Sequence, residues 1–259
     1  MQKTLRQWAD RALQTTGLNR TAHRIYYRHL HGFESATPQL RGAVGRCIEM
    51  AAADGLLQRG DYCEFGVFKG ATLWHVQREV SQRPDGGTMR FFGFDSFEGL
   101  PEVGGVDATA HDEFYAGQYA CGLDRVRAMM TDAGTDWTRT FLIPGYFSDS
   151  LTDDMAAAHD LDRVSIALID CDLYASTVDV LRFVGRRLVD GAVVVMDDWG
   201  CFRGDASRGQ QRAVREYFER QPEAELEPVF SYGAWGKVFR FRGRIAEASF
   251  EDDEIESAA

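Results

Sequence analysis

From residue 61 onward the chain alternates short apolar runs with amphipathic segments, a rhythm that leaves few folds open. Runs at 61–67, 89–95, 138–143, 164–170 and 192–196 read as strands, the last a β-branched stretch of the kind buried on both faces. The segments between and after them, 71–80, 123–132, 149–158, 174–188 and 207–220, read as helices. In 174–188 the residues Val178, Leu181, Val184 and Leu188 share one face. Two further runs, 228–232 and 235–241, joined through Gly233, read as a terminal antiparallel pair. The expected fold is therefore α/β: a Rossmann-like, doubly wound, mostly parallel seven-stranded sheet with a terminal antiparallel strand pair and an N-terminal helical segment.

That N-terminal segment, 1–58, has Trp8, Ala12 and Leu13 on one face and Val44, Ile48 and Ala51 on another. A polar aromatic stretch between them, His23 to His31 with Tyr26 and Tyr27, suits a lid, an oligomer contact or an ordinary packing helix. The principal domain is expected over 59–245, followed by a solvated acidic tail at 246–259. A chain of 259 residues suits one such domain with an added segment rather than two large ones.

Charge and composition exclude several partners. A net charge of −11 repels phosphate backbones, so nucleic acid is not expected as a ligand. No run approaches the roughly 18 apolar residues of a membrane span, and Met1-Gln-Lys-Thr-Leu-Arg-Gln-Trp8 lacks the apolar core of a signal peptide. The five cysteines form no CxxC pair, which argues for free thiols in a reducing compartment. A cytoplasmic location is expected.

In a doubly wound sheet, ligands bind beyond the carboxyl ends of the strands, so the residues there matter most. The first strand ends in E-F-G-V-F-K-G at 64–70, where Gly66 and Gly70 flank the turn into a helix with free N–H groups. GxGxxG, the dinucleotide fingerprint, is missing. The pattern suits S-adenosylmethionine, with Glu64 facing its cationic methionine part and Val67 beside the turn. Asp95 and Ser96 close the second strand, where a carboxylate can accept ribose hydroxyls. Gly145, with Tyr146 or Phe147, stands where an adenine ring would lie, unless these aromatics serve the core. The candidate cofactor contacts are thus Glu64, Gly66, Val67, Gly70, Asp95, Ser96, Gly145, Phe147 and Asp170.

The fourth and fifth strands end in I-D-C-D-L-Y at 169–174 and M-D-D-W-G at 196–200, gathering Asp170, Asp172, Asp197 and Asp198. Four clustered carboxylates repel, so they shift their pKa values upward or take a cation. Oxygen ligands suit Mg²⁺ or Ca²⁺, with Mn²⁺ a third option.

Together these segments resemble the macrocin O-methyltransferase (TylF-like) family. The matching pieces are E-F-G-V-F-K-G at 64–70, D-S-F-E-G-L-P at 95–101, G-Y-F-S-D-S-L at 145–151, I-D-C-D-L-Y-A-S-T at 169–177 and V-V-M-D-D-W-G at 194–200, with a looser A-V-R-E-Y-F at 213–218. The resemblance implies a class I, metal- and S-adenosylmethionine-dependent enzyme acting on sugar hydroxyls of natural products. It implies Asp170, Asp197 and Asp198 as metal ligands, Asp172 as general base, and a homo-oligomer as a common assembly. Cys171 stands where the family often has glycine, and Trp199 where a smaller aromatic is common.

The expected activity is methylation of a hydroxyl on a sugar or glycosylated natural product, a small-molecule acceptor. A catechol-type acceptor is the nearest alternative, since vicinal oxygens chelate a metal in both. A metal-dependent hydrolase would want a phosphate-cradling cation, for which Lys69 and Arg203 are the candidates. An NAD-dependent sugar enzyme gives the four aspartates no role, and a scaffold protein gives them none either. Among the histidines, His75 is expected to pack in its helix, while His111 in the long loop 96–119 is the rival base.

Overall fold

A computed structural model of the chain describes residues 32–108 and 114–245. The face of Trp8, the stretch ending at His31, His111 and the acidic tail at 246–259 lie outside the described residues.

The first described helix, α1 (Pro38–Ala53), starts where Thr37 Oγ1 accepts from Leu40 N at 3.1 Å and Pro38 fills the first turn, a position that needs no N–H. A short 3₁₀ turn leads into β1 (Asp61–Phe65), all five residues of which are buried. Then follow α2 (Ala71–Ser81), β2 (Phe91–Asp95), α3 (Leu123–Asp132), β3 (Thr140–Pro144), α4 (Phe147–Ser150), α5 (Asp153–Ala158) and β4 (Val164–Ile169). The chain continues through α6 (Tyr174–Gly185), β5 (Leu188–Met196), α7 (Gly209–Phe218), β6 (Ala224–Tyr232) and β7 (Gly236–Gly243).

The seven strands form one sheet in the order β3-β2-β1-β4-β5-β7-β6. The first five run parallel, and β7 pairs antiparallel with both β5 and β6. The order reverses between β1 and β4, so a crevice opens beyond their carboxyl ends. Each face of the sheet carries its own core. On one, Leu40, Val44 and Ile48 of α1 join Val76 and Val80 of α2 over Tyr62, Ile166 and Val193. On the other, Val180, Leu181 and Val184 of α6 join Ala213 and Tyr217 of α7 over Phe65, Ala167 and Val194.

The expected alternation is present, with boundaries shifted in several elements; β6 for example starts at Ala224, four residues before the expected 228. The helix expected over 149–158 is two, because Thr152 leaves the helix and caps the next one, its Oγ1 accepting from Met155 N at 3.1 Å. The helix expected over 174–188 stops at Gly185, and Leu188 starts β5 by pairing with Val164. Pairing then jumps to Ile166↔Val193, so β5 bulges between those points before running on as the β-branched core strand. β3 begins at Thr140 rather than 138, after Asp136 ties down Thr138 N at 3.0 Å.

Candidate active site

A cavity of about 1020 Å³ lies over the carboxyl ends of β1, β2, β4 and β5. Of the residues singled out from the sequence, Gly66, Asp95, Ser96, Gly145, Phe147, Asp170, Asp172, Asp197 and Asp198 line it. Glu64, Val67 and Gly70 are not among its lining residues. Glu64 is 1% exposed and accepts from Tyr62 Oη at 2.6 Å. Burial pushes its carboxyl up to about 8, against the lowering effect of that hydrogen bond. Gly70 starts α2 in a left-handed conformation and packs against Met130 of α3.

The floor is built by close backbone approach. Gly66 has φ of 96°, and a Cβ there would lie 1.7 Å from the Asp170 carbonyl oxygen. Only glycine lets the β1 end sit this near the β4 end. The Asp95 carboxylate ties β2 to the turn after β1: Oδ2 accepts from Val67 N and Phe68 N, both at 2.8 Å, and Oδ1 from Phe97 N at 2.7 Å. Ser96 Oγ is used within its own turn, donating to Gly99 O at 2.8 Å and accepting from Glu98 N at 3.1 Å. With three of roughly four acceptor positions taken, Asp95 keeps about one for a ligand.

On the other side, the side-chain oxygens of Asp170, Asp197 and Asp198 lie within 4.8 Å of one another. Asp172 is beside them, its main-chain N–H donating to Asp198 Oδ2 at 2.8 Å and its φ held at 59°. Tyr232 Oη, from the end of β6, donates to Asp197 Oδ1 at 2.6 Å. Among the described residues no arginine or lysine forms an ion pair with any of the four aspartates. Burial raises the Asp170 carboxyl well above the usual range, and Asp197, Asp198 and Asp172 push it further. Burial and the same neighbours raise Asp172, and burial with Asp197 brings Asp198 up to about 7. A set of oxygen donors with surplus negative charge and, among the described residues, no ion-paired lysine or arginine fits a hard divalent ion.

The model of the macrocin O-methyltransferase (TylF) family matches residues 40–239. The chain belongs to this family. Over 175 residues it is 33% identical to the 8-demethyl-8-(2,3-dimethoxy-alpha-L-rhamnosyl)-tetracenomycin-C 4'-O-methyltransferase of Streptomyces olivaceus, covering 66% of this chain and 62% of that one. It is 28% identical over 181 residues to the mycinamicin III 3''-O-methyltransferase of Micromonospora griseorubida, covering 67% and 65%. The chain thus spans just under two thirds of the length of either relative. The O-methyltransferase NovP shares the fold, with a TM-score of 0.61 at 23% identity over 79% of each chain.

Of the two departures noted in the sequence, Cys171 is buried yet lines the cavity, and Trp199 takes a packing position. The Cys171 Sγ lies 3.5 Å from Thr177 Oγ1, and Trp199 stacks at a tilt on Phe239 with centroids 4.7 Å apart. Several lining residues escaped the sequence reading: Phe68, Tyr119, Phe202 and Trp235. Each sits in a loop or turn, where no periodicity marks a side chain as facing a cavity. Arg203, named there as a candidate phosphate-cradling cation, also lines the cavity. His75 is half-buried in α2 and does not line the cavity. No described helix is long and apolar enough to cross a membrane.

Proposed function

We propose that this protein is an S-adenosylmethionine-dependent O-methyltransferase that methylates a hydroxyl of a sugar or glycosylated natural product, with Mg²⁺ held by Asp170, Asp197 and Asp198. The observation that carries this reading is one cavity with two unlike halves. The Gly66, Asp95 and Gly145 side offers backbone and a partly used carboxylate, and the other side offers aspartates that, among the described residues, meet no lysine or arginine in an ion pair. Both relatives' names describe O-methyltransferases, the first of a rhamnosyl-bearing tetracenomycin and the second of mycinamicin III. The five free cysteines, four of them buried, support a reducing compartment such as the cytoplasm.

Gly66 allows the cofactor to approach the main chain, and the free Asp95 acceptor position takes one ribose hydroxyl. Tyr146 and Phe147 border the adenine. Since the sulfonium methyl is already activated, the protein's task is to orient and deprotonate the acceptor. A divalent cation bound at Asp170, Asp197 and Asp198 supplies Lewis acidity that makes a sugar hydroxyl easier to deprotonate. Asp172 accepts that proton at a carboxylate oxygen; positioned proton transfer of this kind contributes roughly 10²–10⁴-fold. Phe202 and Trp235, the latter 59% exposed at the hairpin tip, give the acceptor's apolar parts a surface at the mouth.

Calorimetric titration of S-adenosylmethionine and S-adenosylhomocysteine, with Mg²⁺ present and then chelated, tests the reading. Micromolar binding of both is expected. A folded protein that binds neither compound in either condition sinks it. Methyl transfer to glycosides but not catechols then separates the acceptor classes.

A further inference from the structure

The start of α6 presents a problem that its own sequence does not solve. This helix follows directly on the Asp170–Asp172 turn, and its N-cap position is Leu173, whose side chain makes no capping hydrogen bond. The first N–H groups of a helix have no partner within it, and an apolar cap leaves them open. Here the partner comes from 67 residues away: Asp107 Oδ1 accepts from Tyr174 N at 2.7 Å. Its second oxygen accepts from Ala175 N at 3.1 Å.

Asp107 belongs to a one-turn 3₁₀ segment, Gly105–Asp107, in the long connection after β2. That connection also supplies Leu100, Glu102, Gln118 and Tyr119 to the cavity wall. Asp107 itself is 3% exposed, so its carboxylate is spent on the helix start rather than on solvent. A charged acceptor on two terminal N–H groups is also favoured by the helix dipole. The turn beneath it is strained, with Asp172 at φ 59°, and is gripped from the β5 side by Asp198 through Asp172 N. Asp107 grips the same turn from the loop side, two residues further on.

The geometry points to Asp107 as a positioning residue. Its carboxylate caps α6 from the β2–α3 connection, fastens that connection over the cavity, and fixes the Asp170–Asp172 turn that carries the aspartate centre. The role rests on the proposed use of that centre to hold a divalent cation.

The test compares wild type with Asp107→Ala and Asp107→Asn. Mn²⁺ binding is read by electron paramagnetic resonance, S-adenosylhomocysteine binding by calorimetry, and cleavage within 96–119 by limited proteolysis. Asp107→Ala is expected to weaken Mn²⁺ binding about tenfold, the low end of what losing a direct hydrogen-bond partner of a metal ligand costs, because Asp107 acts one step further out, through the turn that carries Asp170. Cleavage in the connection should speed up, and S-adenosylhomocysteine affinity should hold. Asp107→Asn, which keeps one oxygen on a helix N–H, should recover part of both losses. Wild-type Mn²⁺ affinity and cleavage in Asp107→Ala would overturn the proposal. Equal loss of Mn²⁺ and S-adenosylhomocysteine binding in both variants would do the same, since that pattern reports general loosening. If wild type itself binds no S-adenosylhomocysteine, the methyltransferase reading falls, while Mn²⁺ affinity and cleavage still decide the clasp.

Discussion

Gly66→Ala is the substitution whose consequence follows most directly from the geometry. The new Cβ would sit 1.7 Å from the Asp170 carbonyl oxygen and 2.8 Å from its carbon, both main-chain atoms that no rotamer change can move. The residue would also be held at φ 96°, where an L side chain meets its own backbone. Left-handed backbone costs about 1–2 kcal/mol for a non-glycine residue, and forced overpacking about 1–3 kcal/mol. Together they predict a loss of about 2–5 kcal/mol. At about 2–4 °C per kcal/mol for a domain of this size, the melting temperature should fall by about 4–20 °C. Relief comes only by parting β1 from β4, which strains the 2.8 Å bond from Asp170 N to Phe65 O and carries Asp170 away from Asp197 and Asp198. Thermal unfolding followed by circular dichroism reads the first effect, and Mn²⁺ affinity the second. Gly87→Ala is the control, because a Cβ there meets nothing within 4 Å and its φ is not positive. If Gly66→Ala melted and bound Mn²⁺ like Gly87→Ala, the close β1–β4 approach would not be what holds the site together.

Two further outcomes are expected. Asp172→Asn should lower turnover by roughly 10²–10⁴-fold while S-adenosylmethionine affinity, measured by calorimetry, stays near wild type; undiminished turnover would remove Asp172 from the base role. Glu64→Gln tests the buried carboxyl, whose folded-state pKa is raised from 4.5 to about 8. A raised acid favours its neutral form in the folded state, so its contribution is whole below pH about 4.5 and is lost as the pH climbs to about 8. Melting temperatures of wild type should therefore fall across that window more steeply than those of Glu64→Gln, in which the amide oxygen still accepts from Tyr62. Parallel curves would place the Glu64 pKa near its unfolded value.

The sheet was legible because each parallel strand is a mainly apolar run closed by a glycine, a proline or an aspartate, and a strand buried on both faces permits little else. Leu188 shows where that legibility stops. It continues the helical stripe of Val178, Leu181 and Val184, yet pairs with Val164, because a buried leucine satisfies either period and strand pairing decides. Thr152 was readable as a cap only once a break between Ser150 and Asp153 was known. At the site, the aspartates at strand ends were legible because the α/β fold itself places those ends in one crevice. Asp107 and Tyr232 were not, because each reaches the site across a long loop or a neighbouring strand. Glu64 and Asp95 were legible as carboxylates but not in their bonding. One takes a hydrogen bond from Tyr62 two residues earlier, and the other gathers backbone N–H groups from the neighbouring turn.

Backbone strain in the described residues collects at the same edge as the aspartates. Phe68 follows β1, Phe97 follows β2, Asp172 follows β4, and Phe202 and Arg203 follow β5; all have positive φ, as does Tyr119 in the connection above them. Asp160, on the approach to β4, is the remaining non-glycine case among the described residues. Each such residue costs of order 1–3 kcal/mol and persists only where its surroundings over-determine it. Five of the seven line the cavity, so the strain is not spread over turns in general. The surroundings that hold it are specific. Asp95 fixes Phe68 and Phe97 through their N–H groups, and Asp198 fixes Asp172 through its own. The carboxylates at the strand ends therefore act in two ways at once: some of their oxygens lock strained turns in place, and the remainder face the cavity. A residue such as Asp198 cannot be replaced by a neutral, non-accepting side chain without releasing the Asp172 turn as well, so the aspartate centre and the strained backbone around it stand or fall together.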